Sequence, residues 1–171
     1  MDIKTMDKTA IERELRRSRN TLVIVGGGVI LFGFWSFIKM ILVFALRRDW
    51  LMEMMGDSAS DTFEVVVVCA VLVFILVIDL SLRLFVGRSA RAEGFGGKKG
   101  WAYVVVDGFM AAFAAALLVV SIVTFSMSDY DSVLDVAVTF AVDLTSLFTL
   151  LELLVTAVRV KRLTRALEKE A

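Results

Sequence analysis

Four stretches of the chain, at 20–46, 62–82, 101–125 and 133–158, are each long and apolar enough to cross a bilayer as a helix. The hydrocarbon core is about 30 Å thick, so a helix rising about 1.5 Å per residue needs about 20 apolar residues to span it. In that medium every backbone N–H and C=O must be satisfied internally, which leaves only helices or a closed barrel. The runs are about twice the length of a membrane strand and do not alternate apolar with polar residues. Helix is therefore expected even at the valine-rich 65–68 and 104–106. Short connections make sequential helices antiparallel neighbours. The expected architecture is all-α: one transmembrane domain over residues 1–171, folded as an up-down four-helix bundle.

Composition agrees. Hydrophobic residues make up 58% of the chain, more than the half or so that a soluble domain carries. Lys plus Arg and Asp plus Glu are equal at 19 each, but the two signs are segregated. The leader holds Lys4, Lys8, Arg13, Arg16, Arg17 and Arg19, and the second connection holds Arg83, Arg88, Arg91, Lys98 and Lys99. The tail holds Arg159, Lys161, Arg162, Arg165 and Lys169. The other two connections contain only Arg47 and Arg48, and are otherwise acidic, with Asp49, Glu53, Asp57 and Asp61 in one and Asp129 and Asp131 in the other. Basic connections face the cytoplasm, so both termini are expected inside and the location is the plasma membrane. The first run follows a long charged leader, unlike a signal peptide. Trp35, Trp50, Trp101 and Tyr103 are candidate interface anchors, Trp101 foremost.

Several chemistries are missing from the residue inventory. Histidine and proline are absent and Cys69 is the lone cysteine. That removes imidazole bases and histidine metal sites, disulfides and CxxC redox pairs. Cys69 sits in an apolar run and reads as a small buried hydrophobe. No serine lies beside a suitable base, and no cofactor signature, metal motif or nucleic-acid motif is present.

The leader, 8–19, reads as a short amphipathic helix. Thr9 and Glu12 fit a capping box, and Ile11 and Leu15 are placed to dip into the headgroup layer. The inner loop, 83–100, is rich in glycine and basic residues. It is not a Walker loop, which needs Gly, four residues, then Gly-Lys-Ser/Thr. Ala92 stands where the first glycine belongs, and Lys99 follows Lys98. A flexible connector touching anionic lipid is expected instead. Arg16, Arg17, Arg88, Arg91, Lys98 and Lys99 are the candidate headgroup contacts. The pattern Ser-Ala-Arg-Ala-Glu-Gly, then Lys-Lys-Gly and an aromatic, within 89–103, resembles small four-span hypothetical membrane proteins of Gram-positive gut bacteria. That group has no assigned activity. The resemblance implies a bacterial plasma membrane and transfers no functional residue.

Charges within the apolar runs ask for a reason, since each costs about 2.5 kcal/mol or more at the helix centre. Asp79 lies about 6 Å along its helix from Arg83, Asp107 about 9 Å from Trp101, and Glu152 about 10 Å from Arg159. Three helices thus place a carboxylate at similar depth. These acids are a candidate proton or cation site. The competing expectation is architectural: Asp79 pairs with Arg83, and Asp107 and Glu152 take Arg159 or Arg88. Lys39 and Asp143, on the first and fourth helices, are a candidate ion pair across the bundle. Asp135, Thr139, Asp143, Ser146 and Thr149 give the fourth helix a polar face. Gly26 and Gly33, and the stripe Gly108, Ala112, Ala116, suit close helix packing within the bundle or between copies.

Three function classes fit this pattern. A structural, regulatory or accessory subunit, not an enzyme, comes first, working in the bilayer with a membrane partner or a second copy. A small oligomeric transporter or channel using the buried carboxylates is the alternative, although without proline no broken helix marks a binding site. A voltage-sensor-like domain is weaker. Arg159, Arg162 and Arg165 have the right spacing but follow the apolar run.

Overall fold

The computed structural model describes residues 8–46, 62–97, 100–127 and 133–170, with side-chain environments for 8–38, 41, 66–67, 70–97, 100–123 and 140–168. Four helices account for nearly all of it: α1 (Lys8–Leu46), α2 (Thr62–Gly94), α3 (Ala102–Met127) and α4 (Val133–Glu170). No strand occurs among the described residues. Each helix contains a segment long and apolar enough to cross a membrane: Lys8–Ile38, Ala70–Gly94, Ala102–Val123 and Phe140–Glu168. The valine-rich stretches are helical, because a backbone without water must bond within its own segment whatever its propensity.

The helices outrun the apolar segments that announce them. The leader is not a separate helix but the first turns of α1. Ile11 and Leu15, expected in the headgroup layer, are buried among the helices. Likewise α2 does not stop at 82. It continues through the basic segment to Gly94, so only residues 95–101 connect it to α3. Hydropathy reports what surrounds a helix, not where it ends, and nothing between Arg83 and Glu93 breaks one.

The actual stop is a Schellman motif. The Gly97 N–H donates to the Ala92 carbonyl at 2.9 Å and the Gly96 N–H donates to the Glu93 carbonyl at 3.0 Å. Gly96 adopts φ +95°, a left-handed conformation that side chains resist. The glycines expected to loosen a loop therefore end a helix. Both glycine amides are thus engaged by the chain itself.

The helices form a ring in which α1 packs most extensively on α2 and then on α4, α4 packs on α3, and α2 touches α3 least. The α1–α2 seam depends on glycine. A Cβ at Gly87 would lie 2.5 Å from Ile30 and 2.6 Å from the Gly26 carbonyl, so the two backbones nearly touch there. Gly33 and Gly94 extend the seam, meeting Arg83 and Val23 respectively. Of the other small-residue stripe, Ala112 and Ala116 are exposed among the described residues.

Burial is concentrated at one end. The core joins Ile11, Leu22 and Val29 of α1, Val86 and Ala90 of α2, Tyr103 and Met110 of α3, and Leu150 to Leu163 of α4. This is the end where Arg19, Glu93, Trp101 and Arg165 meet, here called the basic end. Towards the opposite end, Leu31, Phe34, Val71, Phe74, Val119 and Phe140 are all exposed.

Candidate functional site

Glu93 anchors the basic end. It sits seven residues beyond Val86 and three beyond Ala90, on the buried face of α2. Lys161 of α4 donates to both its carboxylate oxygens, at 3.1 Å to Oε1 and 3.0 Å to Oε2. The Tyr103 hydroxyl of α3 donates to Oε2 at 2.7 Å. A further Lys161 hydrogen bond reaches the Gly100 carbonyl at 3.2 Å. One buried carboxylate thus joins three helices and their connecting link. Burying a charge pair is stabilising only when hydrogen bonds satisfy both partners, and these do.

Aromatic faces complete the cap. Lys161 Nζ lies 5.3 Å from the Trp101 ring centre and 5.2 Å from that of Tyr103. Arg165 lies over the same indole at 5.4 Å, so Trp101 is in cation–π range of two cations. Beside them opens a cleft of about 210 Å³ bordered by Arg19, Glu93, Trp101, Lys161, Arg165 and Glu168. The Nε of Arg19 is buried without a hydrogen-bond partner among the described residues.

Deeper in the bundle, Arg83 donates from Nε to Asp79 Oδ2 at 2.9 Å and from Nη1 to Ser146 Oγ at 3.1 Å. The second bond runs from α2 to α4. About 16 Å of helix separates Arg83 from Gly94, so this arginine belongs to the interior and not to a connecting loop. Gly33 makes room for its stem.

The three acids expected at one depth occupy three environments. Asp79 is paired with Arg83 one turn away, as the architectural expectation had it. Glu152 is exposed on α4. Asp107 is fully buried, and neither carboxylate oxygen has a hydrogen-bond partner among the described residues. Arg159, expected to serve Asp107 or Glu152, instead binds Glu14 of α1 at 2.6 Å, and Arg88 is exposed. The expectation that Asp107 is neutralised by a nearby arginine is therefore corrected. Arg159 is drawn away by a carboxylate on the extended α1, which exists as a neighbour only because the leader joins the bundle.

For Lys39 and Asp143, the Lys39 side chain lies outside the described residues, and Asp143 is exposed on α4. Among the candidate headgroup contacts, Arg16, Arg17, Arg88 and Arg91 are exposed, while Lys98 and Lys99 lie outside the described residues. Arg159, Arg162 and Arg165 do not act as a series: the first binds Glu14, the second is exposed and the third covers Trp101. No three acidic or thiol groups cluster as a metal site would require among the described residues.

Sequence reasoning missed Glu93, Lys161 and Arg19, counting them only as charges of the inner loop, the tail and the leader. The signal was periodicity. Leu153, Ala157, Val160, Leu163 and Leu167 continue one stripe past the apolar run, as do Val86 and Ala90 towards Glu93.

Comparison with known protein families, with characterised proteins and with solved structures finds no match.

Proposed function

We propose that the chain is a multi-pass protein of a bacterial plasma membrane, with both termini cytoplasmic, serving without catalysis as a structural, regulatory or accessory subunit. The lysines and arginines of the basic end support that orientation. Contacts that pair Gly26 with Gly87, Gly33 with Arg83 and Gly94 with Val23 run in opposite senses along α1 and α2, which supports an up-down course. The bacterial membrane rests on the resemblance within 89–103. The carrying observation for function is how the charges between helices are used, in the interior and at the rim. Glu93–Lys161, Asp79–Arg83–Ser146 and Glu14–Arg159 each connect helices through groups that a catalytic or transport site would keep available. Purification from native membranes in mild detergent tests the reading, with a stoichiometric membrane partner or a second copy expected. Recovery as a lone chain that moves solute across proteoliposomes would overturn it.

Asp107 favours a second reading, a small transporter or channel with a proton or cation site. A buried polar group with no donor is costly unless it has a task. Proton-coupled uptake lost in Asp107→Asn, with the fold intact, would support this; uptake unchanged by that substitution would remove Asp107 from any such site.

A further inference from the structure

We propose that the cleft at the basic end binds a phosphate-bearing anion, with Arg19 and Arg165 as its ligands and Trp101 as its wall. Three cations, Arg19, Lys161 and Arg165, and two carboxylates, Glu93 and Glu168, line the cleft. Glu93 is already claimed by Lys161. The lining is left with one surplus positive charge, and an anion of matching sign offsets it. Arg19 carries the more specific indication. Its Nε is buried and has no partner among the described residues, whereas a buried guanidinium nitrogen ordinarily finds an acceptor. Its Nη1 lies beside Gly96, on the wall of the same cleft.

Geometry selects the class of anion. A guanidinium offers a planar fork suited to phosphate oxygens, and two such groups border one opening. The cleft, at about 210 Å³, admits a phosphate with a small substituent and excludes a folded partner. Its position is equally telling. Arg19 immediately precedes the apolar run of α1 and Trp101 immediately precedes α3, so the cleft opens at the edge of the hydrocarbon, where lipid phosphates lie. A free phosphate compound offers the same chemistry from the aqueous side.

This site differs from a diffuse basic surface. Arg16 and Arg17 on the exposed face of α1 attract any anionic bilayer, while Arg19 and Arg165 are fixed around one opening. The full chain, purified in a neutral detergent, is titrated with phosphatidic acid, phosphatidylcholine and inorganic phosphate, and bound adducts are read by native mass spectrometry. Phosphatidic acid is expected to be retained over phosphatidylcholine, with retention falling at least about tenfold in Arg19→Gln/Arg165→Gln and little changed in Arg16→Gln/Arg17→Gln. Inorganic phosphate that binds with the same arginine dependence, without lipid doing so, identifies a soluble phosphate as the ligand. Where the double variant loses its thermal transition, Arg165→Gln alone and Arg19→Lys carry the comparison, because Arg165 is exposed and Lys keeps the charge. Binding equal to wild type in the folded variants, or an equal loss in Arg16→Gln/Arg17→Gln, overturns the proposal.

Discussion

The two halves of the bundle are built on different principles. At the basic end α1 and α2 meet backbone to backbone, a buried ion pair joins α2 to α4, and the core residues lie together. Towards the other end the same four helices present phenylalanine, valine and leucine outward, and past Gly33 none of the described α1 side chains is buried. Apolar length in that half answers to the thickness of a bilayer, whereas small residues and polar ties in the first answer to neighbouring helices. Mean apolarity and packing are thus separate properties, and in this chain they run in opposite directions along the helices.

Substitutions at matched positions can break this contrast. Lys161→Met is expected to have the largest effect, lowering stability by about 3–5 kcal/mol, because it strands the Glu93 carboxylate in the core. Unfolding in detergent, followed by helical circular dichroism, measures it, and a loss below about 1 kcal/mol would mean that the pair is well hydrated. Gly87→Leu comes next, at about 1–3 kcal/mol, by forcing α1 and α2 apart. Its counterpart Ala116→Leu, on an uncovered face, should change stability by no more than about 0.5 kcal/mol. Similar costs at both positions would show that the uncovered face is packed in the membrane, against a second copy or a partner.

Asp107→Val tests the exception within the packed half. Removing a buried, unpartnered carboxylate should raise stability by about 1–3 kcal/mol, seen as a higher thermal midpoint. A fall instead would reveal a donor that Asp107 meets in the bilayer. Among the charged positions Arg159→Gln is expected to be mildest, within about 1 kcal/mol, since its side chain is 51% exposed and Glu14 is 25% exposed. Comparing it with Lys161→Met separates an ion pair at the rim from one in the core.

The number of helices was legible because about 20 consecutive apolar residues admit few other structures in lipid. Their ends were not. Arg83, Arg88 and Arg91 lower hydropathy without disfavouring helix, so α2 read as stopping at Leu82, twelve residues before Gly94, where it actually ends. The leader was misread for the same reason: Ile11 and Leu15 have the spacing of a membrane-surface face and of a core face alike. Among the site residues, Asp79–Arg83 was legible because one turn of one helix sets the distance. Glu93–Lys161 depends on the register of α2 against α4, which the sequence states only through apolar periodicity. The isolation of Asp107 depends on where Arg159 turns, and that follows from a helix extension invisible to hydropathy.

The two interior pairs also differ in when they can exist. Asp79 and Arg83 are four residues apart on one helix, so they neutralise one another as soon as that turn coils, before any neighbour is present. Glu93 and Lys161 are 68 positions apart, and the ribosome delivers the second long after the first. Until α4 emerges, Glu93 has no cation from that helix. The fourth helix to be synthesised is therefore the one that latches the basic end, and a chain truncated before Lys161 would carry its membrane helices but not the clasp that holds three of them together.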